Sequence, residues 1–136
     1  MIYSEAQIEE LMYTGLKDYL EGIIQGKVYK SECRPLDSKD EDAVVGVSAA
    51  DAEQLQRGVA RVNLYANDIN NGTGSLVPSK GKLTALSALD SSIVNILNSK
   101  DARINWRLRQ ATRTYKSQDG LQHFASVTLE FNTPTF

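Results

Sequence analysis

The sequence predicts an α+β domain: an antiparallel or mixed β-sheet of about five strands with two amphipathic helices packed on one face, in the order α-β-β-β-α-β-β. Three observations lead there. Two stretches, one near the N-terminus and one after residue 79, repeat apolar residues every three or four positions. Shorter stretches alternate apolar and polar residues, most clearly Arg57–Ile69 (RGVARVNLYANDI). Helices and hairpin signals are mixed without strict β-α-β alternation, which disfavours a doubly wound sheet. The 136 residues suffice for one domain spanning 1–136, with 132–136 expected as a loose tail.

The first helix opens on Ser4, with Gln7 three residues on completing a capping box. Behind it Ile8, Leu11, Met12, Leu16, Tyr19, Leu20, Ile23 and Ile24 form one stripe, and Gly26 is expected to end the helix. Gly15 lies in that stripe, where it permits close approach to the sheet. Lys27–Lys30 reads as a short strand. Ser31–Asp42, with Pro35 and the acids Asp37, Asp40, Glu41 and Asp42, reads as an exposed loop. Ala43–Ser48 is an apolar, interior strand, and Ala49–Gln56 a loop or helical turn. In the third strand Ala60, Val62, Leu64 and Ala66 share one face, and Val59, Arg61, Asn63 and Tyr65 the other.

Asn67–Lys82, containing Asn70, Asn71 and Gly72, is expected to be a long flexible connection. One helix follows from Ser79 or Lys80 to about Asn98, with Leu83, Leu86, Leu89, Ile93 and Leu97 on its apolar side. Ile104–Tyr115 reads as a single strand, and Asp119-Gly120 turns it into a hairpin with Leu121–Phe131. The sheet face away from the helices should then carry Arg61, Asn63, Tyr65, Arg107, Arg109 and Thr128. That mixed face suits contact with another protein.

Charge adds a second theme. Residues 1–56 hold twelve acids and five bases, and residues 57–136 hold five acids and ten bases, so a net −7 half precedes a net +5 half. Opposite charges on different flanks favour head-to-tail association of copies. A net charge of −2 is unlike a protein that binds nucleic acid indiscriminately. The lone Cys33 fits a reducing compartment and excludes a disulfide within the chain. The first twenty residues are too charged for a secretory signal, and no apolar run reaches the roughly 18–20 residues that span a bilayer.

The residues offer no catalytic assembly. Gly72-Thr73-Gly74 lacks the Lys-Ser/Thr ending of a phosphate loop, and the acids of 37–42 lack the spacing of a calcium loop. His123, the only histidine, is expected at the core face of its strand. No enzyme activity, metal or cofactor is expected. Arg107, Arg109 and Arg113 share a strand face while Trp106 points to the core. A stacking platform for nucleic acid needs aromatics and cations together, so a protein-facing stripe is the better reading.

One resemblance gives these features a context. Tyr29-Lys30-Ser31, Cys33-Arg34-Pro35, Glu41-Asp42-Ala43-Val44-Val45, Gln54-Leu55-Gln56-Arg57-Gly58 and Val62-Asn63-Leu64-Tyr65-Ala66-Asn67-Asp68-Ile69 follow one another in order. This pattern resembles small neck proteins of long-tailed bacteriophages and prophages, of the tail terminator or tail-to-head joining class. It departs from them at Ala66-Asn67, where a Val-Pro-like pair is the pattern. The resemblance implies an α+β subunit that forms a hexameric ring on the tail tube and docks to the head connector. It also implies work in the host cytoplasm and the virion, with nucleic acid met only through the ring lumen. The expected contact residues are Asp37, Asp40, Glu41, Asp42, Arg61, Asn70, Asn71, Gly72, Arg107, Arg109 and Arg113. The alternative reading is a small nucleic-acid-binding module using the arginine-rich strand face.

Overall fold

A computed structural model describes residues 2–51 and 55–134. The fold is α+β, as the sequence predicts. The first helix, α1 (Glu5–Glu21), is capped by Ser4 through both bonds of the predicted capping box. It buries Ile8, Met12, Leu16 and Leu20 at i, i+4, i+8 and i+12. It stops at Gly22, earlier than Gly26. Gly26 has another reason to be glycine: a Cβ there would overlap the Asp42 carboxylate. Gly15 also differs from expectation, since it faces Leu97 and Lys100 of a later helix rather than the sheet.

Strands β1 (Val28–Lys30), β2 (Ala43–Ala50) and β3 (Leu55–Asn67) follow. Ala49, Ala50, Leu55 and Gln56 are therefore strand rather than loop, Asp51 lies in neither strand, and 52–54 of that predicted turn lie outside the described residues. Ala66 and Asn67 continue β3, paired with His123 and Gln122. The expected long connection contains a small hairpin, β4 (Ile69–Asn70) and β5 (Leu76–Val77), whose tip uses Gly72 and Gly74 at positive φ.

The second predicted helix is two: α2 (Lys80–Ser87) and α3 (Asp90–Lys100). Residues of the Asp90-Ser91-Ser92 type compete for main-chain hydrogen bonds and favour a helix start over a helix interior. Here the Asp90 carboxylate accepts from Ser91 N at 2.6 Å and from Thr112 Oγ1 at 3.3 Å, which ties the new start to the connection at residues 109–112.

The predicted strand 104–115 is also two, β6 (Asn105–Leu108) and β7 (Arg113–Lys116). Both pair with β8 (Gln122–Pro134), which reaches further than predicted and takes in Asn132–Pro134 of the supposed loose tail. Leu108 pairs with Leu129 and Arg113 with Ser126, so residues 109–112 stand opposite only Val127 and Thr128. The surplus of two keeps Arg113 on the face of Arg107.

The sheet runs β1-β2-β3-β8-β6, with β7 also on β8; β1 and β2 are parallel and the other pairs antiparallel. The helices cover one face, where Ala60, Val62, Leu64, Ala125, Val127, Leu129 and Phe131 meet Ile8, Met12, Leu16, Ile93 and Leu97 in one continuous core. The sheet margins are partly closed by side chains. Glu21 accepts from Val28 N at 2.9 Å on β1, and Asn98 brackets Trp106 of β6, accepting from its N at 2.8 Å and donating to its O at 2.9 Å. Among the described residues no helix is long and apolar enough to cross a membrane.

Candidate protein-contact face

Cross-strand register defines what the helix-free face displays, because directly paired residues share a face. On β3 and β8 the pairs are Val59 with Glu130, Arg61 with Thr128, Asn63 with Ser126 and Tyr65 with Phe124. On the outer strands Arg107 pairs with Glu130, Arg113 with Ser126 and Tyr115 with Phe124. Arg109 joins them by donating its N–H to Thr128 O at 3.0 Å. Arg61, Arg107, Arg109 and Arg113 are thus brought together on one surface, all exposed. Arg107 bridges the Glu130 carboxylate, which also lies 3.7 Å from Arg109.

Three aromatics accompany them. Tyr65 and Phe124 have ring centroids 5.0 Å apart, and Phe124 and Tyr115 5.6 Å. Between aromatics and arginines, Ser126 and Thr128 are buried although no helix covers them. Neither Ser126 Oγ nor Asn63 Oδ1 has a hydrogen-bond partner among the described residues.

One end of this face is closed by the 31–42 loop, which is far more ordered than a solvated acidic run. Asp42, expected at the surface, is buried. Its carboxylate accepts from Lys27 N at 2.9 Å, Arg34 Nε at 3.0 Å and Ser38 Oγ at 2.6 Å. Glu41 is also committed internally, to Asn67 N at 2.8 Å and to Lys82 Nζ at 3.0 Å. Only Asp37 and Asp40 of the run keep exposed side chains.

The organiser is Arg34. Besides Asp42, its guanidinium donates to Asp40 O at 3.0 Å and to Gln122 Oε1 at 2.8 Å, and it stacks 3.9 Å from the Tyr65 ring centroid. Buried Gln122 closes the circuit by donating to Asp40 O and Asn67 Oδ1. Burial raises the Tyr65 phenol above its ordinary pKa, opposed by the nearby Arg34 charge.

The Asn70–Gly72 tip is exposed but stands apart on the β4–β5 hairpin. His123 lies at the other side of the sheet and pairs through Nδ1 with Asp68 Oδ1 at 2.7 Å, which fixes the root of that hairpin. The sequence reading placed Tyr65 on this face but missed Arg34, Gln122, Glu130 and the two aromatics that join it, Phe124 and Tyr115. Tyr65, Phe124 and Tyr115 were legible as alternating strand positions; Arg34 and Gln122 carry no spacing signal, because their partners are distant in the chain.

Comparison with known proteins adds a fold-level likeness. No protein-family model and no curated protein matches the chain. Among 19 solved chains that resemble it, one aligns over 99% of both chains with a TM-score of 0.55 at 17% identity. That likeness concerns the fold alone.

Proposed function

We propose that this chain is a structural assembly subunit of a long-tailed phage or prophage, a tail terminator or head-tail joining protein. It forms a ring that caps the tail tube and docks to the head connector. The helix-free sheet face carries this reading. It displays four exposed arginines and an aromatic trio, on a scaffold whose other face holds the core. Such a surface fits burial against another protein better than exposure to water. The motif resemblance supplies the particular assembly. The work is mechanical, by self-association and docking, and needs no catalytic group. Negative-stain microscopy of particles made without this protein tests it: overlong or headless tails are expected, and normal virions would refute it.

A second reading has one observation in its favour. Tyr65, Phe124 and Tyr115 share a face with the arginines, so the aromatics that Trp106 fails to supply are present after all. A single-stranded nucleic acid could lie on that surface. Titration with DNA and RNA at two salt concentrations separates the readings, because phosphate neutralisation gives a steep salt slope. Absence of binding at low salt removes the nucleic-acid reading.

A further inference from the structure

We infer that the 31–42 loop of one copy docks, Leu36 first, into the arginine-lined cleft at the opposite end of the helix-free face of a second copy. The inference rests on the reading of the chain as a self-assembling subunit, and it names the two surfaces that meet.

The donor is an apolar tip with acidic shoulders. Pro35–Ser38 is a β-turn closed by Ser38 N donating to Pro35 O at 3.1 Å, and it holds Leu36 99% exposed. Asp37 beside it and Glu32 and Asp40 nearby are exposed, and the three acids outnumber the one exposed base of the loop, Lys39. A single exposed leucine is ordinary. One held rigidly is less so. The bonds of Arg34 to Asp42, Asp40 and Gln122 fix the loop before any partner arrives, so docking has little ordering cost.

The acceptor is a cleft of about 590 Å³ at the far end of the same face. Ala50 and Val59 give it apolar wall, and Arg57, Arg107 and Arg109 surround it with positive charge, offset in part by Glu130 and Asp51, which leaves a net positive lining. The side chains of Arg107 and Arg109 are 69% and 52% exposed, free to take further carboxylates from outside. Apolar tip meets apolar wall, and acids meet arginines.

The two surfaces cannot satisfy each other within one chain. Tyr65 beneath the loop and Arg57 beside the cleft lie eight residues apart on β3, about 26 Å at ~3.3 Å per residue. A donor and an acceptor at opposite ends of one face make a heterologous contact that repeats from copy to copy, and closes into a ring if the rotation allows.

The test is a charge swap read by sedimentation and native mass spectrometry. One variant carries Asp37→Lys and Asp40→Lys; the other carries Arg107→Glu and Arg109→Glu. Wild type should associate with rising concentration. Each variant alone should associate about a hundredfold more weakly, because its loop and cleft now carry like charge. An equimolar mixture should recover association, since each reversed surface meets its complement on the other variant. Leu36→Ser should weaken association about tenfold, and mixing should not rescue it. Circular dichroism verifies that each variant is folded.

The inference is overturned if folded variants associate like wild type, if the mixture stays dissociated, or if wild type remains monomeric to about 1 mM. A failed swap with defective tails in particles lacking the protein would remove this interface and leave the assembly reading intact. A rescued swap with normal particles would do the reverse.

Discussion

Replacing Arg34 with alanine should unfold the logic of the acidic loop, and its magnitude can be worked from the geometry. Asp42 has a side chain only 1% exposed, and its one ion-pair partner among the described residues is Arg34, itself 15% exposed, at 3.0 Å. Removing one member of a buried pair costs about 3–5 kcal/mol, because the remaining charge stays desolvated. Asp42 retains its bonds from Lys27 N and Ser38 Oγ, which argues for the lower end, about 3 kcal/mol. Loss of the stack on Tyr65 adds about 0.5–1 kcal/mol. The expected total is therefore about 3–4 kcal/mol, or roughly 10–14 °C in Tm for a chain of this size. Urea denaturation of Arg34→Ala, Asp42→Asn and the double variant measures it. Neutralising Asp42 should return about 1–2 kcal/mol of the loss, as coupled neighbours do. A cost below about 1 kcal/mol for Arg34→Ala, or additive behaviour in the cycle, would refute the reasoning.

Three further outcomes follow from other sites. Gly58→Ala should destabilise by about 1–3 kcal/mol, because its Cβ would lie 2.5 Å from Ala49 O and overlap Phe131; thermal denaturation reads the loss, and an unchanged Tm would contradict the packing. Asn98→Ala removes both bonds to the Trp106 main chain, costing about 2 kcal/mol and opening the β6 edge; light scattering on heating should show earlier aggregation, and wild-type behaviour would mean the edge is not closed this way. Asp119 has a folded pKa below its ordinary value, held there by the Ser117 hydroxyl and the Leu121 N–H. Its stabilisation is therefore present above the unfolded carboxylate pKa and lost as pH falls through the folded one. Asp119→Asn should be less stable than wild type at pH 7 in urea, by less than about 1 kcal/mol given its exposure, and equal to it below the folded pKa; a pH-independent difference would contradict that assignment.

Much of the fold was legible because period and burial agree. The stripe Ile8, Met12, Leu16, Leu20 and the alternation Ala60, Val62, Leu64, Ala66 are single-period signals, and both are buried as read. The misses came where local and distant forces compete. Nothing within 104–115 announces the two surplus residues that part β6 from β7, because the register is set by β8 across the sheet. The apolar spacing Leu83, Leu86, Leu89, Ile93, Leu97 runs through the break before Asp90 without a gap, and Thr112, which bonds Asp90, is distant in sequence. Of the contact surface, alternation places Arg61 and Arg107 on their face, and Arg113 shares it because the surplus between β6 and β7 is even. Glu41 and Asp42 were assigned to the surface on charge alone, and both are drawn inward by cations and N–H groups that sequence spacing does not locate.

The central claim is that the helix-free sheet face is covered when the chain is assembled. Covalent labelling of arginine and carboxyl side chains, read by mass spectrometry on the free chain and on assembled particles, tests it most directly. Arg61, Arg107, Arg109 and Arg113 should lose reactivity on assembly while Glu5 and Asp18, exposed on α1, keep theirs. Equal arginine labelling in both states, with protection shifted to α1, would contradict the account.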